Sequence, residues 1–520
     1  MLRLGPRLSV GILVFIVSLA SSTWEFPSSS DGTAMFTTAV NLLERHTLAI
    51  DARFTADDEY SPSAKRGADG RAYAKYGLGL PVVELPFLGL ARGASGILGL
   101  SEPHVQAVVL SLLNPLLTAL AAILIQAMCE RLGASRAAAR LAALGYAFGT
   151  LAWAYAITDG TEALQACLIA LSAWALVIFE RDRRDRALWI CGAALAGGVL
   201  TKTIIAVLAP PFVIGAWLAC RSHGATWPAA IARSMKLAAP VAFGIAAVAW
   251  LNWMHFGSVT ESGYDRPLFT HPLGSGLYGL VFSPTKGLIF YAPSVLLVPL
   301  GAVTLFRRST ALAVAGTLGA IVWTVLNAMF PDWGGGWCWG PRYLLPILPF
   351  AFAAVGLAAD RSQVGGIARA LFAVGFTVNL LGVVVSEDAY RRTTMGVWLV
   401  DRTGYVMAGS TLEPGRLVKI PRSAEDVLPP FSSIAGHWWL ARVALAGCDC
   451  TTASAACECR TGQFAANRVF LSPPWSAQFS DAIPLAPYGV SIIQPMLLRG
   501  LYRAVILDPD REPRSTSRLY

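Results

Sequence analysis

The chain has 520 residues, of which 55% are hydrophobic and only 14% charged, and its mean hydropathy is +0.54. A soluble enzyme of this length is excluded, because its water-facing surface would need far more charge. The net charge of +9 lies in short clusters between apolar runs, with no basic stripe or interleaved aromatics, so it speaks for membrane topology and against nucleic acid as a partner. Residues 1–386 hold 47 of the 73 charged residues and the shorter tail, 387–520, holds 26. The chain is therefore read as a transmembrane body followed by a wetter C-terminal domain.

The spacing predicts apolar spans at Leu8–Ser22, Val105–Cys129, Arg136–Ala156, Gly160–Phe179, Ala187–Leu200, Thr203–Cys220, Lys236–Phe256, Gly287–Phe306, Thr310–Met329, Tyr343–Ala359 and Gly365–Ser386. About thirty ångströms of hydrocarbon need runs of this length. The basic start MLRLGPRLSV also fits a signal peptide, but with many spans following it is kept as the first of about 11 transmembrane helices. Residues 187–220 are too long for one crossing, and basic residues flank both ends, so two crossings are expected to meet at Thr201-Lys202-Thr203.

With the N-terminus inside, sixteen Lys and Arg fall on inner segments and four on short outer loops: Lys202, Arg266, Lys286 and Arg342. This asymmetry predicts a multi-pass cytoplasmic (inner) membrane protein whose odd number of spans leaves the C-terminal domain outside. Two outer segments are longer than connections need, 23–104 and 257–286. In the first, AMFTTAVNLLERHTLAI has helical periodicity after a Ser-Ser-Ser-Asp-Gly start, as an amphipathic helix at the interface would. The following GLGLPVVELPFLGLARG is expected to lie on or dip into the outer leaflet rather than cross it.

The outer ionisable residues singled out for chemistry are Asp31, Lys75, Asp159, Glu162, Lys202, Lys286 and Arg342. A transporter would place such groups near the midplane, beside broken helices of repeated halves, and the sequence has no convincing internal repeat. Bland readings stand beside the functional ones. Asp31, Asp159 and Glu162 fit helix caps, with Asp159 favoured over Glu162 for function. Arg342 fits an interfacial anchor, and Lys202 and Lys286 read as solvated loop charges. In WGGGWCWG, Trp333, Trp337 and Trp339 fit either an interfacial belt or a surface on which sugar rings stack. His271 reads as an ordinary loop residue.

Four features in this order, on one side of the membrane, carry a resemblance: SSSDGTAMF with Asp31, AKYGLGLP with Lys75, ITDGTEA with Asp159, and PRYLLPILP with Arg342 and Tyr343. The pattern resembles the GT-C superfamily of polytopic glycosyltransferases that use polyprenyl-phosphate sugars, on the branch of the lipid A aminoarabinose transferases and protein O-mannosyltransferases, over residues 8–386. Two departures are visible, Gly-Thr after Asp31 instead of a second acidic residue, and Tyr-Gly after Lys75 instead of a proline pair.

The resemblance implies an inverting transfer to an acceptor hydroxyl on the extracytoplasmic face, with Asp31 as general base and Asp159 as a second catalytic candidate. Lys75, Arg342 and Tyr343 would hold the donor phosphate. Its implied partners are the polyprenyl-phosphate sugar, a lipid, glycan or protein acceptor, and membrane lipids. No cofactor is implied, and the lone Asp31 weakens the case for a divalent metal without closing it. A multi-span transporter or flippase of lipid-linked glycan is the alternative, and a non-catalytic scaffold a third.

Cys129, Cys167, Cys191 and Cys220 read as small apolar residues of the spans. In the tail, Cys448, Cys450, Cys457 and Cys459 fit two disulfides outside the membrane, with a zinc site the less favoured reading. The positions 448 with 459 and 450 with 457 share one antiparallel register, which predicts those pairs across a hairpin. The prolines of the tail suggest an irregular or β-containing domain of uncertain α/β type.

Overall fold

A computed structural model describes residues 6–22, 24, 26–27, 29–51, 63–264, 269–336 and 338–385, together with 397–401, 404–407, 418–421 and 432–445 of the tail. Trp337 and the four tail cysteines lie outside the described residues. The protein is mostly helical and polytopic. In chain order the helices are α1 (Pro6–Ala20), α2 (Ser30–Arg45), α3 (Gly79–Leu98), α4 (Glu102–Leu110), α5 (Leu113–Arg131), α6 (Arg136–Phe148), α7 (Ala152–Ala156), α8 (Glu162–Asp182), α9 (Arg186–Thr201), α10 (Ala209–Ser222), α11 (Trp227–Phe256), α12 (Leu273–Phe282), α13 (Leu288–Tyr291), α14 (Val298–Arg308), α15 (Thr310–Met329), α16 (Leu348–Ala359), α17 (Gly365–Val384) and, in the tail, α18 (Ser433–Leu445). Short 3-10 turns at Thr203–Leu208, Pro293–Leu297 and Arg342–Ile347 lead into α10, α14 and α16.

Seven stretches among the described residues are long and apolar enough to cross a membrane: 102–131, 162–182, 203–222, 227–256, 310–329, 342–359 and 365–384. Each overlaps a span expected from the sequence. Two further expected spans are shorter apolar helices, at 7–20 and 186–201. The expected spans Arg136–Ala156 and Gly287–Phe306 are broken, the first into α6 and α7 and the second into α13, a 3-10 turn and α14. The second outer segment contains the apolar helix α12, which packs on α15. The chain does divide at Lys202, whose extended backbone (φ −151°) separates α9 from the turn into α10.

Small residues let these helices meet closely, as expected where lipid offers no hydrophobic drive for association. A Cβ added to Gly192 of α9 would stand 2.3 Å from the Leu237 carbonyl of α11, and one on Gly301 of α14 would stand 1.9 Å from the Ala354 carbonyl of α16.

Opposite ends of the bundle differ in chemistry. One end is laced by Arg7–Glu130, Arg131–Asp182 and Lys236–Asp185 pairs, each at 2.6 Å, and by the Arg181 guanidinium donating to the Arg308 carbonyl. These are residues of the segments expected to lie inside.

At the other end the first outer segment forms α2, α3 and a small antiparallel sheet of β1 (Ala49–Ile50), β3 (Ala72–Ala74) and β2 (Ala64–Arg66), in that spatial order. α2 starts where Ser29 accepts a hydrogen bond from the Gly32 N–H, and it ends at His46 in the left-handed region. Its face of Ala34, Met35 and Ala39 is buried, with Ala39 against Leu88 of α3. The sheet docks on the end of α11: Tyr73 stacks on His255 at 3.9 Å, and the Ala68 N–H donates to the His255 carbonyl. In the tail, β4 (Val397–Asp401), β5 (Gly404–Met407) and β6 (Val418–Pro421) form an antiparallel sheet, and α18 packs on α17.

Candidate active site

The first turn of α2 carries Asp31, and Ser29, not Asp31, is the residue that caps this helix. Asp31 is half-buried and accepts hydrogen bonds from Ser63 Oγ at 3.5 Å and from the Tyr76 hydroxyl. Burial, reinforced by the charge of Asp31, holds the Tyr76 hydroxyl well above the usual phenol range, so Tyr76 stays a neutral donor. Tyr264, from the second outer segment, is pushed up to about 12 by burial first and then by Asp31.

Asp159 has a different neighbourhood. It is 3% exposed, and its carboxylate accepts the Ser29 N–H at 2.8 Å and the Ser29 hydroxyl at 2.9 Å. A Cβ on Gly32 would sit 1.9 Å from its Oδ2. Asp159 thus seats the N-terminus of α2 against the turn before α8. Glu84, in the non-spanning helix α3, is also buried, and its pKa is raised to about 8 by burial and then by the charge of Asp159, so near neutrality it is mostly uncharged.

The cations converge from three separate connections. Lys75 follows β3, and its N–H donates to the Ser63 carbonyl. Its ammonium stands 5.4 Å from the ring centroids of both Tyr76 and Tyr264, the two tyrosines under the charge of Asp31. Lys202 lies 4.5 Å from the centroid of the Tyr343 ring, and Arg342 lies 5.1 Å from the same ring. The Lys202 ammonium is lowered to about 8, by burial above all; Glu162 opposes the fall, Arg342 adds to it and Asp31 opposes it. Tyr343 is buried; its carbonyl accepts from Trp323 Nε1 at 2.6 Å and its hydroxyl accepts from Arg342 Nη2 at 3.4 Å. Arg342 Nε is buried without a hydrogen-bond partner among the described residues.

Asp31, Lys75, Arg342 and Tyr343, singled out from the sequence, are brought together. Lys202, expected as a solvated loop charge, faces the Tyr343 ring. Glu162, the less favoured acid of ITDGTEA, has its charge directed at Lys202 and Arg342, while Asp159 braces Ser29. Tyr76, Tyr264 and Asp332, whose charge reaches Tyr264 and Tyr343, carried no signal in the sequence.

Trp333 and Trp339 are 3% and 4% exposed. Trp333 packs on Gly279, and Trp339 donates to Asn379 Oδ1 at 3.1 Å while its ring meets Tyr291 and His437. Both rings pack in the interior and anchor the loop 331–341. His271 accordingly sits against Trp333 in that packing. Among the described residues no group of three His, Cys, Asp or Glu is arranged to hold a metal ion.

No curated protein matches the chain in sequence. In fold the chain is similar to ArnT from Cupriavidus metallidurans bound to undecaprenyl phosphate, at a TM-score of 0.49 and 14% identity, covering 85% of this chain and 70% of that one. It is similar to the same protein in the apo state at 0.49 and 15%. An archaeal oligosaccharyltransferase, AglB from Archaeoglobus fulgidus in complex with an inhibitory peptide and a dolichol-phosphate, gives 0.43 and 12%, covering 70% of this chain and 51% of that one. Residues 100–253, from α4 into α11, match the family described as dolichyl-phosphate-mannose-protein mannosyltransferase, and this match bears out the resemblance to polytopic lipid-phosphate-dependent glycosyltransferases drawn from the outer motifs.

Proposed function

We propose that the protein is an inverting glycosyltransferase that moves a sugar from a polyprenyl-phosphate donor to an acceptor hydroxyl on the extracytoplasmic face. The observation that carries this reading is the approach of Lys202 and Arg342 to one ring, Tyr343, with a buried, unpartnered guanidinium nitrogen on Arg342 and the carboxylate of Asp31 in reach of the same charges. A phosphate oxygen is the kind of acceptor such a nitrogen takes, and Arg meets it bidentately. The family match over 100–253 supports a sugar carried on a lipid phosphate.

In this mechanism the acceptor oxygen attacks the anomeric carbon and its proton passes to Asp31. The bond from that carbon to the phosphate oxygen breaks, and Arg342, Lys202 and Lys75 stabilise the negative charge that gathers on the departing polyprenyl phosphate. Phosphate is a good leaving group, so the step needs no general acid. One in-line displacement inverts the anomeric centre. Asp159 acts one step away, through the position of α2.

The test is transfer by purified protein in detergent from a synthetic polyprenyl-phosphate sugar. Covalent transfer with inversion is the expected result. Vectorial movement of lipid-linked glycan in liposomes without any transfer overturns the reading in favour of a transporter.

A further inference from the structure

Lys286 is the one fully buried lysine among the described residues, and the proposed chemistry does not use it. It stands between α12 and α13, and its ammonium donates to the Cys338 carbonyl at 2.6 Å and the Gly336 carbonyl at 3.1 Å, with Cys338 Sγ at 3.4 Å. Burying an ammonium is unfavourable unless its donors are met. Here all three acceptors come from one segment, the loop 331–341 that ends at Arg342.

That loop has little reason to hold one shape by itself. Gly335, Gly336 and Gly340 all lie in the left-handed region, at φ +75°, +73° and +62°, and glycine restricts the backbone least. The same turn touches the guanidinium: a Cβ at Gly335 would stand 2.9 Å from Arg342 Nε and 3.2 Å from Cys338 Sγ. Lys286, the two carbonyls, Gly335 and Arg342 are thus consecutive members of one packed chain.

We infer that Lys286 is a positioning residue for donor binding, clamping the loop 331–341 so that Gly335 backs Arg342 and sets the direction of its guanidinium. The inference rests on the reading of Arg342 as a phosphate ligand. A lysine that only stabilised the fold would lower the melting temperature and leave its effect additive with that of Arg342. A lysine acting through Arg342 has nothing left to act on once that side chain is gone.

The experiment measures undecaprenyl phosphate affinity of the full chain in detergent for wild type, Lys286→Gln, Lys286→Met, Arg342→Ala and the double variants, and hydrogen exchange of the amides in 331–341. Lys286→Gln keeps a buried amide donor and guards against misfolding of Lys286→Met. The expected result is affinity about tenfold or more weaker in the single Lys286 variants, double variants no weaker than Arg342→Ala, and faster exchange in the loop. Additive losses, or unchanged affinity with unchanged exchange, overturn it. If the wild type neither binds the lipid nor transfers sugar, the functional reading fails separately, and exchange decides the clamp: faster loop exchange in Lys286→Gln upholds it, and unchanged exchange overturns it.

Discussion

The carboxylate of Asp159 binds both the backbone N–H and the hydroxyl of Ser29, 130 residues earlier in the chain, at 2.8 and 2.9 Å. The turn before α8 thereby fixes the start of the helix that presents Asp31. Two aspartates at one end of the bundle thus have different partners.

Asp31→Asn keeps size and shape but removes the proton acceptor. Turnover is expected to fall by about 10² to 10⁴, with melting temperature and donor affinity near wild type. Asp159→Asn cannot accept both Ser29 donors, so it loses a charge-assisted hydrogen bond of about 1.5–3 kcal/mol and its activity should fall together with its melting temperature. Kinetics and thermal melts of the two variants decide it. Full turnover in Asp31→Asn, or Asp159→Asn inactive at wild-type stability with donor still bound, would exchange the two assignments.

Lys202 adds a pH dependence. Its pKa is lowered to about 8 by burial, and only the charged form attracts phosphate. Donor capture, read as kcat/KM for the donor, should therefore fall as pH rises through about 8. A bound phosphate favours the ammonium, so the limb in kcat should lie higher. Lys202→Arg should move the limb out of the range up to pH 10, and an unmoved limb would assign it to another group.

Arg342→Ala and Lys75→Ala should weaken donor binding as well as turnover, since in the proposed mechanism both cations meet phosphate before and during transfer. Losing charge-assisted hydrogen bonds of about 1.5–3 kcal/mol corresponds to roughly 10- to 100-fold for Arg342. Lys75, which faces two tyrosine rings, should show the smaller loss. Titration with undecaprenyl phosphate tests both, and wild-type affinity in Arg342→Ala would remove it from the phosphate site.

Orientation is open to a reporter that is active only outside the cell. Fused after Ser386 it should be on, and fused near Arg184 or Arg308 it should be off, if the sixteen basic residues of the inner segments, against four in the short outer loops, set the insertion. The reverse pattern at all three sites would invert the protein and move Asp31 to the cytoplasmic face.

Spans were legible in the sequence because a long apolar run reports its own environment: the stretches 310–329 and 365–384 need no partner to be recognised. The break at Lys202 was legible for a similar reason, since basic clusters flank both sides of a run too long for one helix and short for two. Asp31, Lys75 and Arg342 stood out through local motifs.

What the tertiary structure alone decided is burial and partnership between distant segments. Lys202 and Lys286 look alike as single basic residues in outer connections, yet one faces Tyr343 from 141 positions away and the other is sealed under carbonyls 50 and 52 positions away. Asp159 and not Glu162 meets Ser29, and Trp333 and Trp339 are buried beside Gly279 and Asn379. Whether a charge is solvated, paired or aimed at a ligand depends on desolvation and on neighbours brought in by folding, and neither is a property of the residues on either side in the chain.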